Sequence, residues 1–399
     1  MFTKSKYTVL FYLTLLLIVF LLFVTANNSL SISYKEALNL YHNTSSLSII
    51  TNISTFLFGH NDLALRAPFI ILYLLSVVLM YLLTENYFKY EKDRLISILI
   101  FMSLPGVLSA ALLVNTAIVV TFCTLLYLYI YKKYNKHLYY ILPIFLLIDN
   151  AFAILYLALF FYALRTKDKK LIYFSVILFA LTLFIYEIDT GGKPKGFLLD
   201  TFGIYSAIFS PILFLYFLYS IYRIAVIKQI DLVWYISATA MILSILISFR
   251  QRIYIEDFAP FVVIAIPSMV KMFMYSYRVR LKEFRKNYNI MAAIIISMLC
   301  LNIVLTFINK PLYLILPDPK KHFVYQYHFA KEIAQELKEK GIDYICSDDK
   351  ELLLRLKFYE INEGERYFIT LKKIYQYDEK ISIIYYDNKL YTVYIKKLI

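Results

Sequence analysis

About eleven apolar spans run through this chain, at residues 7–26, 67–84, 95–113, 116–131, 138–149, 151–164, 171–188, 203–222, 232–249, 259–275 and 289–308. No other feature restricts its fold as strongly. In hydrocarbon each backbone N–H and C=O must be satisfied inside the segment, so runs of this kind cross as α-helices. Composition agrees: 61% of the 399 residues are hydrophobic and 18% charged, where a soluble domain is about a quarter charged. The chain reads as a polytopic α-helical membrane protein. The runs 138–149 and 151–164 are short for straight crossings and read either as two spans or as one re-entrant hairpin.

Charge placement sets the orientation. Net charge is +14, but residues 309–399 hold 16 Lys and Arg against 14 Asp and Glu, which leaves +12 on the membrane part. With the N-terminus cytoplasmic, the short inner segments 1–6, 85–94, 132–137, 165–170, 223–231 and 276–288 carry 19 Lys and Arg, and the opposite loops carry 6. Bases retained on the inner face are a signature of topology. Nucleic acid is therefore excluded as the partner this basic chain serves. An odd number of spans places the C-terminus outside, together with a 40-residue loop at 27–66. The first span exceeds the usual apolar core of a cleaved signal and reads as a retained helix. The style of composition points to a bacterial inner membrane.

Two parts follow: a transmembrane domain at 1–308 that includes the periplasmic loop 27–66, and a small C-terminal periplasmic α+β domain at 309–399. In the latter, Phe329, Ile333 and Leu337 recur at helical spacing and Gly341 ends the run. An apolar run follows at Ile342–Cys346, then a helix expected around Asp349–Lys357 and strand-like runs at Tyr367–Leu371, Ile381–Tyr386 and Leu390–Ile395.

Motifs of soluble enzymes are missing: there is no GxxxxGK[ST], GxSxG, GxGxxG or HExxH. Cys123, Cys300 and Cys346 are scattered and include no CxxC pair, which supports neither a disulfide framework nor a metal site. The outward loops, by contrast, collect ionisable groups, among them Glu36, Asp62, Arg66, Lys193, Arg250 and Arg252. Such groups at the edge of the hydrocarbon are costly unless hydrated or paired, so their gathering on one face points to a polar cavity.

The order of several short runs resembles the membrane-integral glycosyltransferases of the GT-C superfamily, in the protein mannosyltransferase and aminoarabinose-transferase group. The runs are Phe58-Gly59 with Leu63–Pro68, Leu104-Pro105-Gly106, Phe209-Ser210-Pro211, Arg252–Pro260 and Leu356-Lys357-Phe358-Tyr359. The resemblance implies transfer of a sugar from a polyprenyl-phosphate carrier to a glycan, lipid or protein acceptor of the envelope, on the outer face. That chemistry needs a carboxylate to take the acceptor's proton and cations to hold the leaving phosphate. The family's acidic pair after the first span falls at Lys35-Glu36, where only Glu36 is acidic, and no acid stands at the family's second position near Asn115. Glu36 is then the first candidate base and Asp62 the second. Arg66, Arg250, Arg252 and Lys193 are the candidates for the carrier phosphate. A divalent metal ion is admitted as a cofactor, without ligands. Two other readings stand beside this one: a non-catalytic relative that binds polyprenyl phosphate or a partner, and a lipid-linked transporter or flippase.

Overall fold

The computed structural model describes residues 6–43, 45–186, 196–316, 318–373, 376–386 and 388–398. The chain divides into two compact units, one of Met1–Val19 with Phe69–Thr306, the other of Phe20–Pro68 with Phe307–Ile399.

Helices long and apolar enough to cross a membrane are Lys6–Asn28, Asp62–Leu83, Thr116–Tyr134, Lys169–Tyr186 and Lys282–Phe307. Three bent pairs bring the number among the described residues to eight if each pair is one span: Glu91–Ser103 with Pro105–Leu112, Leu198–Phe209 with Pro211–Val226, and Ile255–Val263 with Ile266–Val279. The chain is a multi-pass membrane protein. Prolines account for the breaks. Pro105 and Pro211 each open the second helix of their pair, where a missing N–H costs nothing, but they cannot continue the first. At Ser210 the backbone turns to φ +78°, and the two helices part by 103°. The apolar run 203–222 is thus two helices rather than one straight crossing. The run 138–149 yields only the five-residue helix Leu142–Leu146, with Pro143 in its first turn.

Within the first unit, packing is aromatic and close. Phe11 stacks on Tyr81 with ring centroids 4.1 Å apart, and the Arg94 guanidinium lies 3.7 Å from the centroid of the Tyr81 ring. Arg278 and Asp93 pair at 2.6 Å, with Asp93 buried. A Cβ added at Gly106 would come within 2.4 Å of the Ile208 side chain, so the helices Pro105–Leu112 and Leu198–Phe209 approach as only glycine permits.

The second unit is built on a five-stranded sheet. Its strands are β1 (Tyr344–Ser347), β2 (Asn362–Glu363), β3 (Tyr367–Thr370), β4 (Glu379–Tyr385) and β5 (Asn388–Lys397), in the spatial order β2-β1-β3-β5-β4. β1 runs parallel to β2 and β3, while β5 is antiparallel to β3 and β4. The helix Lys350–Phe358 makes the crossover that parallel pairing requires. It starts at Asp349, whose carboxylate accepts from the N–H groups of Glu351 and Leu352. The helix Ala330–Glu339 buries Ala330, Ile333, Ala334 and Leu337, and Gly341 follows it at φ +69°. Ile333, Leu337, Leu352, Leu356, Ile369, Val393 and Ile395 form the core, each worth roughly 1.5–3 kcal/mol in burial. The elements expected from the sequence are all present here.

The loop 27–66 is more ordered than its polarity suggests. It contains the helix Tyr34–Tyr41 and a second, Ser46–Phe58. The latter is inverted. Ser48, Thr51, Ser54 and Thr55 are buried, while Ile49, Ile53, Phe56, Leu57 and Phe58 are exposed.

Candidate active site

Three of the candidate residues converge in the second unit. Ser33 caps the helix Tyr34–Tyr41 in a reciprocal capping box: its hydroxyl accepts from Glu36 N at 3.3 Å, and Glu36 Oε2 accepts from Ser33 N at 2.9 Å. The box turns the Glu36 carboxylate back toward the chain that leads into the helix. There the same oxygen accepts from Arg66 Nη2 at 2.9 Å. Arg66 lies one turn after Asp62 and reaches its Oδ1 at 3.5 Å. All three side chains are withdrawn from solvent, Arg66 completely.

The start of the Asp62–Leu83 helix is fixed by local chemistry. Gly59 takes φ +83°, and Asn61 Oδ1 accepts from Ala64 N at 2.7 Å. Pro68 sits inside this helix and cannot donate to the carbonyl four residues back. That carbonyl belongs to Ala64, and the Ser54 hydroxyl donates to it at 2.6 Å. A side chain from the inverted helix thus supplies the bond that the proline removes, and Arg66 keeps its place.

A second group of residues closes the cluster from the C-terminal segment. The Tyr359 hydroxyl donates to Asp62 Oδ1 at 2.7 Å and accepts from Ile32 N at 3.0 Å. Burial, then the Asp62 charge, raises the Tyr359 phenol well above its ordinary pKa, so it remains a donor. Lys331 Nζ stands 3.1 Å from Asp62 Oδ2 and donates to Asn27 O at 2.7 Å. The Lys331–Asp62 contact is an ion pair by distance, and Oδ2 has no directed hydrogen bond. Arg355 donates to Ile32 O at 2.8 Å and to His328 O at 2.9 Å, while Arg66 Nη2 takes Ser31 O at 3.0 Å. Arg66 Nε finds no acceptor among the described residues.

The remaining candidates fall elsewhere. Arg250 and Arg252 belong to the first unit, exposed on the turn between the helices Leu232–Ser248 and Ile255–Val263. Phe197 N donates to Ser248 O at 2.9 Å and ties the start of the helix Leu198–Phe209 to the end of the helix Leu232–Ser248. Lys193 lies outside the described residues. No group of three or more His, Cys, Asp and Glu suited to a metal ion occurs among the described residues. The first unit also holds a cavity of about 360 Å³ walled by Ile96, Leu99, Leu213, Met269, Phe273 and Leu299, almost wholly apolar.

No protein-family model and no curated protein matches the chain. Among solved structures, the crystal structure of ArnT from Cupriavidus metallidurans in the apo state is similar over 98% of this chain and 97% of that one, with a TM-score of 0.58 and 10% identity. The chain has the fold of ArnT. ArnT is an aminoarabinose transferase of the GT-C kind, so the resemblance carried by the short runs holds at the level of fold.

Ser33, Lys331, Arg355 and Tyr359 are members of the cluster that are not among the residues expected from the sequence. Ser33-x-x-Glu36 is a capping-box pattern and marks Glu36 as a helix-start acid. Tyr359 lies in the Leu356–Tyr359 run already singled out. Nothing local signals Lys331, whose partners Asn27 and Asp62 are hundreds of residues away in sequence.

Proposed function

We propose that this protein is a glycosyltransferase of the bacterial inner membrane, which moves a sugar from a polyprenyl-phosphate carrier to an envelope acceptor at the outer face. The observation that carries the reading is the buried Glu36–Arg66–Asp62 cluster in a chain with the ArnT fold. A guanidinium that neutralises two acids and still has one N–H without an acceptor is suited to an oxyanion entering beside it. In this reading Arg66 holds the carrier phosphate as the sugar leaves. Arg250, Arg252 and Lys193 stay candidates for that phosphate from their place in the sequence alone. Taken by itself, the apolar cavity of about 360 Å³ in the first unit has the character an isoprenoid tail needs.

Either acid serves as the base only after its contacts rearrange. Glu36 Oε2 already accepts two hydrogen bonds. Asp62 has the looser shell, since one of its oxygens is held only by the Lys331 charge. We therefore place Asp62 before Glu36 in the role of proton acceptor. The N-terminus is assigned to the cytoplasm and the second unit to the outer face, from the Lys and Arg distribution.

The enclosure of Glu36 favours one other reading, a relative that binds carrier phosphate without transfer. Mass spectrometry of lipid-linked sugars and envelope glycans separates the two. Loss of one glycan residue with accumulation of its carrier, in the deletion strain and in Asp62→Asn, supports transfer. Unchanged glycans in the deletion strain reject it.

A further inference from the structure

The second unit contains a polar cavity of about 300 Å³ that neither acid lines. Its wall runs from Asn27–Ser31 to the first turn of the helix Ala330–Glu339. Two cations border it, Lys310 and Lys331, each about one-third exposed and so reachable by a ligand. The helix has no side-chain cap, and although Ala330 N already donates to His328 O, its start still lends some of the partial positive charge that helix starts offer to anions.

A third observation is independent of these charges. His328 borders the same cavity, is 2% exposed, and its Nε2 has no partner among the described residues. Its Nδ1 is engaged with the Tyr313 hydroxyl at 2.8 Å. A buried polar atom without a partner costs about 1–3 kcal/mol, so a site that leaves one open is built for something that closes it. Glu332 is the carboxylate of the cavity. It pairs loosely with Lys310 at 3.5 Å, accepts from the Tyr385 hydroxyl, and has Oε2 buried without a partner. Acceptors and donors together suit hydroxyl groups, and two lysines suit an oxyanion.

We infer that this cavity binds a sugar-sized polyol carrying one phosphate or carboxylate, with the oxyanion between Lys310 and Lys331 and the hydroxyls on His328 and Glu332. The inference rests on the transferase reading only in making this ligand the acceptor. Lys331 is the link between the two places. It stands between the cavity and Asp62 Oδ2, and an oxyanion in the cavity competes with Asp62 for that ammonium. Binding therefore loosens the charge that restrains the proposed base, and an uncharged ligand of the same shape has no such effect.

The test is titration calorimetry on the full-length protein in detergent, with glucose 1-phosphate, inorganic phosphate and glucose as probes. The expected result is binding of glucose 1-phosphate, competition by inorganic phosphate at higher concentration, and no competition by glucose. Lys310→Gln and Lys331→Gln should each weaken binding about tenfold, the loss of one charge-assisted contact. Lys372→Gln, an exposed lysine of the same unit, should leave it unchanged. If Lys331→Gln fails to fold, Lys310→Gln decides alone. Equal affinity for glucose and glucose 1-phosphate, no binding of the phosphate ester, or wild-type affinity in Lys310→Gln overturns the inference. Binding without sugar transfer in cells keeps the cavity and removes the transferase, while transfer without binding does the reverse.

Discussion

Arg66 and Glu36 meet at 2.9 Å with both side chains out of solvent, and 30 residues of chain separate them. A buried pair of this kind contributes little beyond an apolar replacement, but removing one partner leaves the other charge stranded. Arg66→Met strands Glu36 and leaves Asp62 to Lys331 and Tyr359 alone. The expected loss is about 3–5 kcal/mol, read as a lowered thermal midpoint of the purified protein. Adding Glu36→Gln to Arg66→Met should recover part of it, and strict additivity of the two losses would count against the pair.

Glu36 has two separable duties, and a conservative exchange divides them. Glu36→Gln keeps an oxygen for Ser33 N and so keeps the capping box. Glu36→Ala removes it, at a cost of about 0.5–2 kcal/mol for the cap alone. Gln should therefore lose the counter-charge of Arg66, which Asp62 still partly offsets, and Ala should unfold several degrees below Gln because it loses the cap as well. Loss of sugar transfer in folded Gln protein would assign Glu36 to the chemistry, and full transfer would confine it to the fold.

Ser54 stands in for a donor that proline took away. In Ser54→Ala the Ala64 carbonyl loses the 2.6 Å bond in a place where Pro68 offers nothing. The expected cost is about 1–3 kcal/mol. The double variant Ser54→Ala with Pro68→Ala should restore most of it, since an N–H returns to the helix. Hydrogen exchange across residues 62–68 reads the local opening directly.

His328 makes the second unit acid-sensitive. Burial first, then the charges of His322, Lys310 and Arg355, lowers its pKa from 6.5 to about 3. The unfolded chain then binds a proton that the folded chain refuses, so stability rises with pH. The contribution is complete above about pH 6.5 and falls away between there and about pH 3. His328→Gln should flatten this part of the profile in a thermal unfolding series at stepped pH, and an unchanged slope would assign it to other groups.

Much of the architecture is legible in the sequence because its signals are local. Apolar runs, prolines and the Phe329–Ile333–Leu337 spacing each report on neighbours within a turn or two. The sharp bend at Ser210 was hidden, since an apolar run looks alike on both sides of a proline. The inverted helix was hidden for the opposite reason: its Ile and Phe suggest a buried face, yet in the fold the hydroxyls turn inward. Glu36, Asp62 and Arg66 were visible as candidates because loops that end at the hydrocarbon seldom hold such groups idle. Their mutual pairing was not, apart from the one-turn spacing of Asp62 and Arg66. Lys331, Arg355 and Tyr359 owe their places to contacts across nearly the whole chain, which no window of sequence reports.

That long separation sets a timetable for biogenesis. Residues 20–68 leave the ribosome early, and their partners begin at Phe307, after the intervening helices have been made. At about 5–20 residues per second the first segment waits roughly 10–50 s for its complement. Throughout that interval Asp62 lacks Tyr359 and Lys331, and Ile32 lacks Arg355. The newly made protein thus carries an unfinished, charged surface until the segment from Phe307 onward arrives, and quality-control proteases have a defined period in which to find it.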